Sequence, residues 1–307
     1  MNVLITGAAG FLGRHFAKHH IYLDHHVTAV DDMSSPYASW PKSWSPLRTQ
    51  DAVRFFESYV PRYDIVYHFA APVGGREKIE GDPLFNTDSL RLDAALFRWA
   101  VKAKPRVIVY PSSSAVYGVT FQRDVNLPLP LHEAMFDPGA TYWEVPDEMY
   151  GFTKMAGEYL AWKAAKYGVR TLCIRPFSGY GEDQSPEYPV PSIVARARAR
   201  EDPLIVWGPG TQTRDFIHVD DVVGATVARV KNGIDGYVTM NIGCGEPVSF
   251  NQLALRVASI VDYEPKIVNL ADKPFGVMQR YCDPSVMLTY YVPKVSLTDG
   301  LTRMLRG

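Results

Sequence analysis

The stretch Gly7-Ala8-Ala9-Gly10-Phe11-Leu12-Gly13 limits what this chain can fold into more than any other. The apolar residues 2–6 before it predict a buried strand, and the pattern after it predicts a helix through about residue 20. Glycines at 7, 10 and 13 let the backbone turn tightly between the two. They also let it approach a pyrophosphate, whose charge then sits on the free N–H groups of the helix N-terminus. The next apolar strand, residues 26–30, runs into Asp31. A carboxylate at that strand end accepts hydrogen bonds from an adenosine ribose diol and repels a 2'-phosphate, which favours NAD over NADP. Asp32 competes for the same role. A tight turn with no ligand is the plain alternative, and the rest of the chain has to decide.

Residues 64–69 and 106–110 read as further strands with a helix over 88–103 between them, so strand and helix alternate. This is the pattern of an α/β chain with a Rossmann-type doubly wound parallel sheet. Ligands of such sheets bind at the carboxyl ends of the strands. Here those ends are Gly7, Asp31, the turn at Ala70-Ala71-Pro72 and Ser112-Ser113-Ser114. We expect residues 1–175 plus about 216–243 to form the dinucleotide-binding domain. Residues 176–215 plus 244–307 should form a smaller α/β lobe for the substrate.

With 307 residues, 47% apolar, 21% charged and a net charge of -1, nothing suggests a nucleic acid as partner. The apolar runs are strand-sized, far short of the roughly 18 residues of a membrane span. Met1 leads straight into a strand, with none of the basic and apolar segments of a secretory signal. Cys173, Cys244 and Cys282 are few and far apart, which fits reduced thiols in a cytoplasmic protein and no metal site.

Tyr150-Gly151-Phe152-Thr153-Lys154 puts a phenol and an ammonium on one face at the start of a helix. A tyrosine hydroxyl, with an ordinary pKa of about 10, is a poor base near neutrality unless a positive charge favours the phenolate. Lowering that pKa by roughly three units takes about 4 kcal/mol, more than one solvated lysine supplies. A dry pocket holding a second cation, such as an oxidised nicotinamide, would supply it. Alone, such a pair is more often an ordinary amphipathic helix face.

Taken together, the glycine turn, the His68-Phe69-Ala70-Ala71 strand end, Ser112-Ser113-Ser114-Ala115-Val116-Tyr117-Gly118, the Tyr150 to Lys154 motif and Gln212-Thr213-Arg214-Asp215-Phe216-Ile217-His218-Val219-Asp220-Asp221 resemble the extended short-chain dehydrogenase/reductase family. The resemblance is to its nucleotide-sugar epimerase and dehydratase branch, and it covers essentially the whole chain. It implies that Ser113 hydrogen-bonds the reacting sugar oxygen. Tyr150 would take the hydroxyl proton, and Lys154 would hold the cofactor ribose and favour the phenolate. It also implies that Phe11, Leu12, Asp51, Phe69, Ala70, Ala71, Ser112 and Pro176 border NAD. Arg76, Ser114, Ser178, Pro191, Trp207, Arg214 and Arg280 would border a nucleotide-diphosphate sugar. Ser178 stands where the family usually has Asn, which shortens the reach toward the diphosphate. Trp207 is either a stacking platform for the base or core. Arg214 is suited to clamp phosphate oxygens. His218, Asp220 and Asp221 read as the capped start of a helix rather than as metal ligands.

Reaction type turns on the residue before Val116. Related dehydratases and decarboxylases usually carry Glu there and 3,5-epimerases Cys, whereas this chain has Ala115, which cannot move protons. The expected activity is therefore C4 inversion of a nucleotide-diphosphate hexose through a transient 4-keto sugar. Alternatives are a GDP-mannose 3,5-epimerase-like enzyme, suggested by Gly74-Gly75-Arg76, and a 4-keto-sugar reductase or dehydratase. A non-catalytic NAD-sensing regulator is also considered. Between Gly118 and Met149 the chain departs from the pattern through an insertion around residues 136–147, which could lie over the sugar as a lid; His132, Glu133 or Glu144 could stand in as an acid, although a solvated loop is the plainer reading of those residues. The resemblance implies a homodimer through helices near residues 88–103 and 157–166.

Overall fold

A computed structural model describes residues 1–58, 61–82, 84–124, 126 and 128–306. The first half alternates as the sequence predicts: β1 (Asn2–Thr6), α1 (Phe11–Tyr22), β2 (His26–Asp31), β3 (Leu47–Thr49), α2 (Ala52–Ser58), β4 (Ile65–His68), α3 (Arg76–Gly81), α4 (Asp88–Ala103) and β5 (Val107–Pro111). Single 3-10 turns at Ser114–Val116, Val119–Gln122 and Glu133–Met135 follow. The chain then forms α5 (Glu148–Ala165), β6 (Thr171–Pro176), β7 (Gly179–Tyr180), α6 (Pro189–Arg198), β8 (Leu204–Trp207), β9 (Thr213–Asp215), β10 (Ile217–His218), α7 (Val219–Lys231) and β11 (Tyr237–Ile242). It closes with β12 (Pro247–Ser249), α8 (Phe250–Ile260), β13 (Ile267–Leu270), β14 (Gln279–Arg280), α9 (Ser285–Leu288) and α10 (Leu297–Arg306).

Seven strands form one sheet in the order β3-β2-β1-β4-β5-β6-β11, and every pairing is parallel. The central strands are buried on both faces, which is why they read as unbroken apolar runs. The strand order reverses at β1, which lies between β2 and β4 with Thr6 opposite Val30 on one side and His68 on the other. A crevice opens outside the carboxyl ends of strands at such a point.

The lobe has its own core, in which Val190, Ile193 and Val194 of α6 meet Leu204 and Val206 of β8, Leu253 and Val257 of α8, and Leu301. Asp221 is fully buried and accepts hydrogen bonds from Tyr291 Oη at 2.8 Å and from the N–H groups of Lys294 and Val295. It anchors the last segment to α7, as a helix-start carboxylate can, while His218 caps that helix.

One sequence expectation holds and one changes. α5 begins at Glu148, so Tyr150 lies inside its first turn, at a helix start as expected, though the helix opens two residues before the motif. The segment after Gly118 does not cover the cleft. Leu131 and Phe136 join Tyr117, Met155, Phe177 and Cys282 in a small core, and the Leu131 backbone bonds with that of Tyr281 and Asp283. Apolar side chains hold the segment against the lobe; Val125 and Leu127 within it lie outside the described residues.

Candidate active site

A cleft of about 900 Å³ separates the carboxyl ends of the sheet from the lobe. The first turn of α1, the end of β5, the start of α5 and the loops around Ser178, Trp207 and Arg280 line it. Gly7 has φ +67°, and a Cβ there would stand 2.4 Å from the Phe69 carbonyl carbon; at Gly13 it would stand 2.1 Å from the Gly7 carbonyl oxygen. Only glycine allows this approach of β1, β4 and α1. Gly10 caps α1 without any side-chain bond to the free N–H groups of the first turn.

Ser113 leaves β5 with extended backbone, and its Oγ accepts the Ala115 N–H at 3.1 Å, capping the 3-10 turn. The Ala115 carbonyl in turn accepts the Asp147 N–H at 3.0 Å, and the Asp147 carbonyl accepts the Gly151 N–H at 2.8 Å. These two bonds fasten the serine turn to the helix carrying Tyr150 and Lys154. The Lys154 ammonium is 5.9 Å from the Tyr150 ring centroid and 5.5 Å from that of Tyr110. Lys154 is 4% exposed and forms no ion pair with any described carboxylate, so its charge is left for a ligand. Ser112 is different, because its hydroxyl donates to Glu158, which is buried with Arg175 at 2.7 Å. Tyr188, which sequence reading missed, also lines the cleft, and burial and the neighbouring Tyr150 keep its hydroxyl protonated.

Three arginines meet on the lobe side. Arg76 Nη1 donates to both oxygens of Asp147, at 2.8 and 2.9 Å, and Arg280 Nη2 lies 2.9 Å from the same carboxylate. Burial alone would raise the Asp147 pKa, but Arg280 and Arg76 outweigh it and hold it at about 2. Arg214 bonds only to the carbonyls of Thr213 and Phe275, at 2.7 Å each. Burial, then Arg280, presses its pKa down to about 9, and it remains a cation without a carboxylate of its own. The cleft wall also carries Asp183. Burial would raise it, but His15 and Arg14, both in α1, hold it at about 2.

A model of the NAD dependent epimerase/dehydratase family matches residues 3–243. The chain belongs to that family. It is 30% identical over 273 residues to a putative GDP-L-fucose synthase 2 of Oryza sativa, covering 85% of this chain and 76% of the relative. Its fold matches the UDP-glucose 4-epimerase of Thermotoga maritima, solved with UDP-glucose, with a TM-score of 0.86 at 25% identity over 100% of this chain and 98% of the other. The UDP-glucuronic acid 4-epimerase of Bacillus cereus, solved with UDP-glucuronic acid and NAD, gives 0.82 at 25% identity over 100% and 99%.

The family's cofactor is NAD, and the geometry fits it. The glycine cradle would be filled by any Cβ, the α1 N-terminus has no side-chain cap, and Lys154 is a buried cation with no carboxylate paired to it among the described residues. Asp31 accepts the N–H groups of Ala9 at 2.9 Å and Met33 at 2.8 Å, so its carboxylate lies against the glycine turn. Burial raises its pKa against those two bonds. Asp32 instead accepts from the N–H and hydroxyl of Ser34.

Of the residues that the resemblance assigns, Phe11, Leu12, Phe69, Ala71, Arg76, Ser112, Ser113, Ser114, Tyr150, Lys154, Pro176, Ser178, Trp207, Arg214 and Arg280 do line the cleft. Asp51 does not: it caps α2 through the Arg54 N–H and pairs with Arg91. Pro191 is buried in α6, and its neighbours Ser192 and Ile193 face the cleft instead. His132, Glu133 and Glu144 are also off the wall, held by or near lobe and loop partners such as the Asn241 N–H and Thr120. The acid that this segment does contribute is Asp147. Its only sequence sign is its place three residues before Tyr150.

Proposed function

We propose that the protein is an NAD-dependent epimerase that inverts C4 of a nucleotide-diphosphate hexose. The observation that carries this reading is the poverty of the cleft in proton-transfer groups other than Tyr150. Among the described residues the wall has no histidine or cysteine. Its one enclosed carboxylate, Asp147, is held ionised by Arg280 and Arg76; Asp183, Glu77 and Glu187 are exposed, and Asp183 is held ionised by His15 and Arg14. Ala115 is buried off the wall. A reaction needing a second base at a ring carbon finds no histidine or cysteine on the wall, and the exposed Glu77 and Glu187 lie on its rim loops.

NAD, which the glycine turn, Asp31 and Lys154 would hold, would supply the hydride acceptor and donor for C4. The chain's own residues do the rest. Tyr150 Oη accepts the C4 hydroxyl proton and later gives it back, with the enclosed Lys154 charge favouring the phenolate. Ser113 Oγ donates to the same sugar oxygen and holds it beside Tyr150. Arg214 and Arg280 bind the diphosphate oxygens, and Trp207 offers the base a ring face. Asp31 accepts from the adenosine ribose. A 4-keto-sugar reductase would use the same groups but release its cofactor each turnover. We also propose a homodimer through the outer faces of α4 and α5, where Phe152 is left 48% exposed.

Incubating purified protein with UDP-, GDP-, dTDP- and CDP-hexoses in deuterated water, followed by NMR of the product, tests the reading. Inverted C4 with the carbon-bound hydrogen retained is expected. Solvent deuterium on C3 or C5 would overturn it, as would bound NAD with no conversion of any sugar, the outcome for a regulator.

A further inference from the structure

We propose that α3 is a lid over the cleft and that the ion pair of Arg76 with Asp147 is its latch, setting how fast a nucleoside diphosphate ligand enters and leaves. The proposal rests on the functional reading above, which supplies the ligand class. The expected lid, the segment after Gly118, is packed into a core, whereas α3 has the opposite character. It has no buried residue, so no apolar share in any core holds it down, and segments of that kind open at low free energy.

Glycines flank it: Gly74 and Gly75 lead in, and a Cβ built on Gly81 at its end would meet nothing within 4 Å. Such positions can absorb the backbone change of a hinge. The helix nevertheless reaches across the mouth. Residues 74–79 line the cleft. On the opposite rim, a Cβ at Gly75 would stand 2.3 Å from the Glu187 carbonyl oxygen, and one at Gly276 2.9 Å from the Arg76 guanidinium carbon.

What fastens α3 is electrostatic. Arg76 bridges to both Asp147 oxygens across 71 positions of sequence, and the Asp147 side chain is 5% exposed. The bond from Arg76 to Glu80 stays within the helix, and Lys78 over the Phe85 ring at 4.5 Å is a local tie to the segment that follows. Asp147 is in turn bound through its backbone to the turn of Ser113 and to α5. Closing the latch therefore joins the lid to the element that bears Tyr150.

Stopped-flow tryptophan fluorescence, with Trp207 on the cleft wall as reporter and GDP and UDP as probes, reads the latch. In Arg76→Gln, association and dissociation should both quicken about tenfold while Kd moves less than about threefold, the signature of a gate rather than a contact; Asp147→Asn also frees Arg280, so there the association rate alone should quicken about tenfold. The double variant should associate no faster than either single one. Unchanged rates, or an affinity loss carried by dissociation alone, would overturn the proposal. Amide exchange over residues 76–81, measured without ligand, should quicken in both variants while α5 stays protected; unchanged exchange there would also overturn it. If neither probe binds the wild-type protein, the reading of the cleft fails and the exchange arm alone decides the latch.

Discussion

Gly151 in α5 lies so close to Ala115 that an added Cβ would stand 2.4 Å from the Ala115 carbonyl oxygen. This contact presses the helix of Tyr150 against the turn of Ser113. Gly151→Ala should therefore force the two apart, costing about 1–3 kcal/mol of stability by overpacking. Turnover should fall more than tenfold, since misplacement by an ångström costs roughly that or more. Urea unfolding and steady-state kinetics on the same preparation check both numbers. Wild-type turnover in this variant would show that the separation is unimportant.

Tyr150→Phe removes only a hydroxyl. On the proposed mechanism kcat should drop about 10²- to 10⁴-fold, the usual range for losing a positioned acid–base group. Nucleotide binding should stay within about threefold, since the arginines are untouched. Calorimetry with UDP and GDP beside a product assay separates the two, and retained turnover would remove the mechanism.

The Asp147 carboxyl, held at about 2 against an ordinary 3.8, is a depressed acid. Its contribution to stability is present above about pH 4 and is lost as pH falls toward 2. Asp147→Asn should thus be about 2 kcal/mol less stable than wild type at pH 7, and the gap should close between pH 4 and 2. Denaturant melts across that window measure it, and a gap constant with pH would assign the loss to shape rather than charge.

Asp31→Asn keeps the size of the side chain but not its charge. NAD should bind roughly tenfold more weakly, and discrimination against NADP should narrow, because a full negative charge no longer faces the 2'-phosphate. Titration of both dinucleotides reads this directly. An unchanged NAD to NADP ratio would point to Asp32 or to neither.

Arg214→Gln deletes the cleft cation that has only carbonyl partners. Affinity for a nucleoside diphosphate should fall about tenfold to a hundredfold, and its dependence on salt should flatten. Binding isotherms at low and high salt carry the test.

The parts legible in sequence are those fixed by local chemistry. β1, the glycine turn and α1 announce themselves because a doubly buried strand must be apolar and a position where an added Cβ would stand 2.1–2.4 Å from neighbouring backbone must be glycine. The 16-residue α4 has a strong apolar stripe and was bounded correctly, while the 3-residue β3 and 7-residue α2 carry too little pattern to read. Asp147 and Asp183 were invisible for another reason. Their meaning lies in arginines 71 and 169 positions away, and no periodicity connects such partners. The same limit hid that the Asp51 carboxylate caps a helix and that the apolar residues after Gly118 pack with Tyr117, Met155, Phe177 and Cys282.

Ser112 and Ser113 stand side by side on the cleft wall, the first buried with its hydroxyl tied inward to Glu158 and the second half-buried. In a mutational scan that scores cellular abundance apart from product formation, alanine at the hidden position should deplete the protein. Alanine at its visible neighbour should leave the amount intact and silence the catalyst. Two adjacent, chemically identical side chains thus divide folding from chemistry between them.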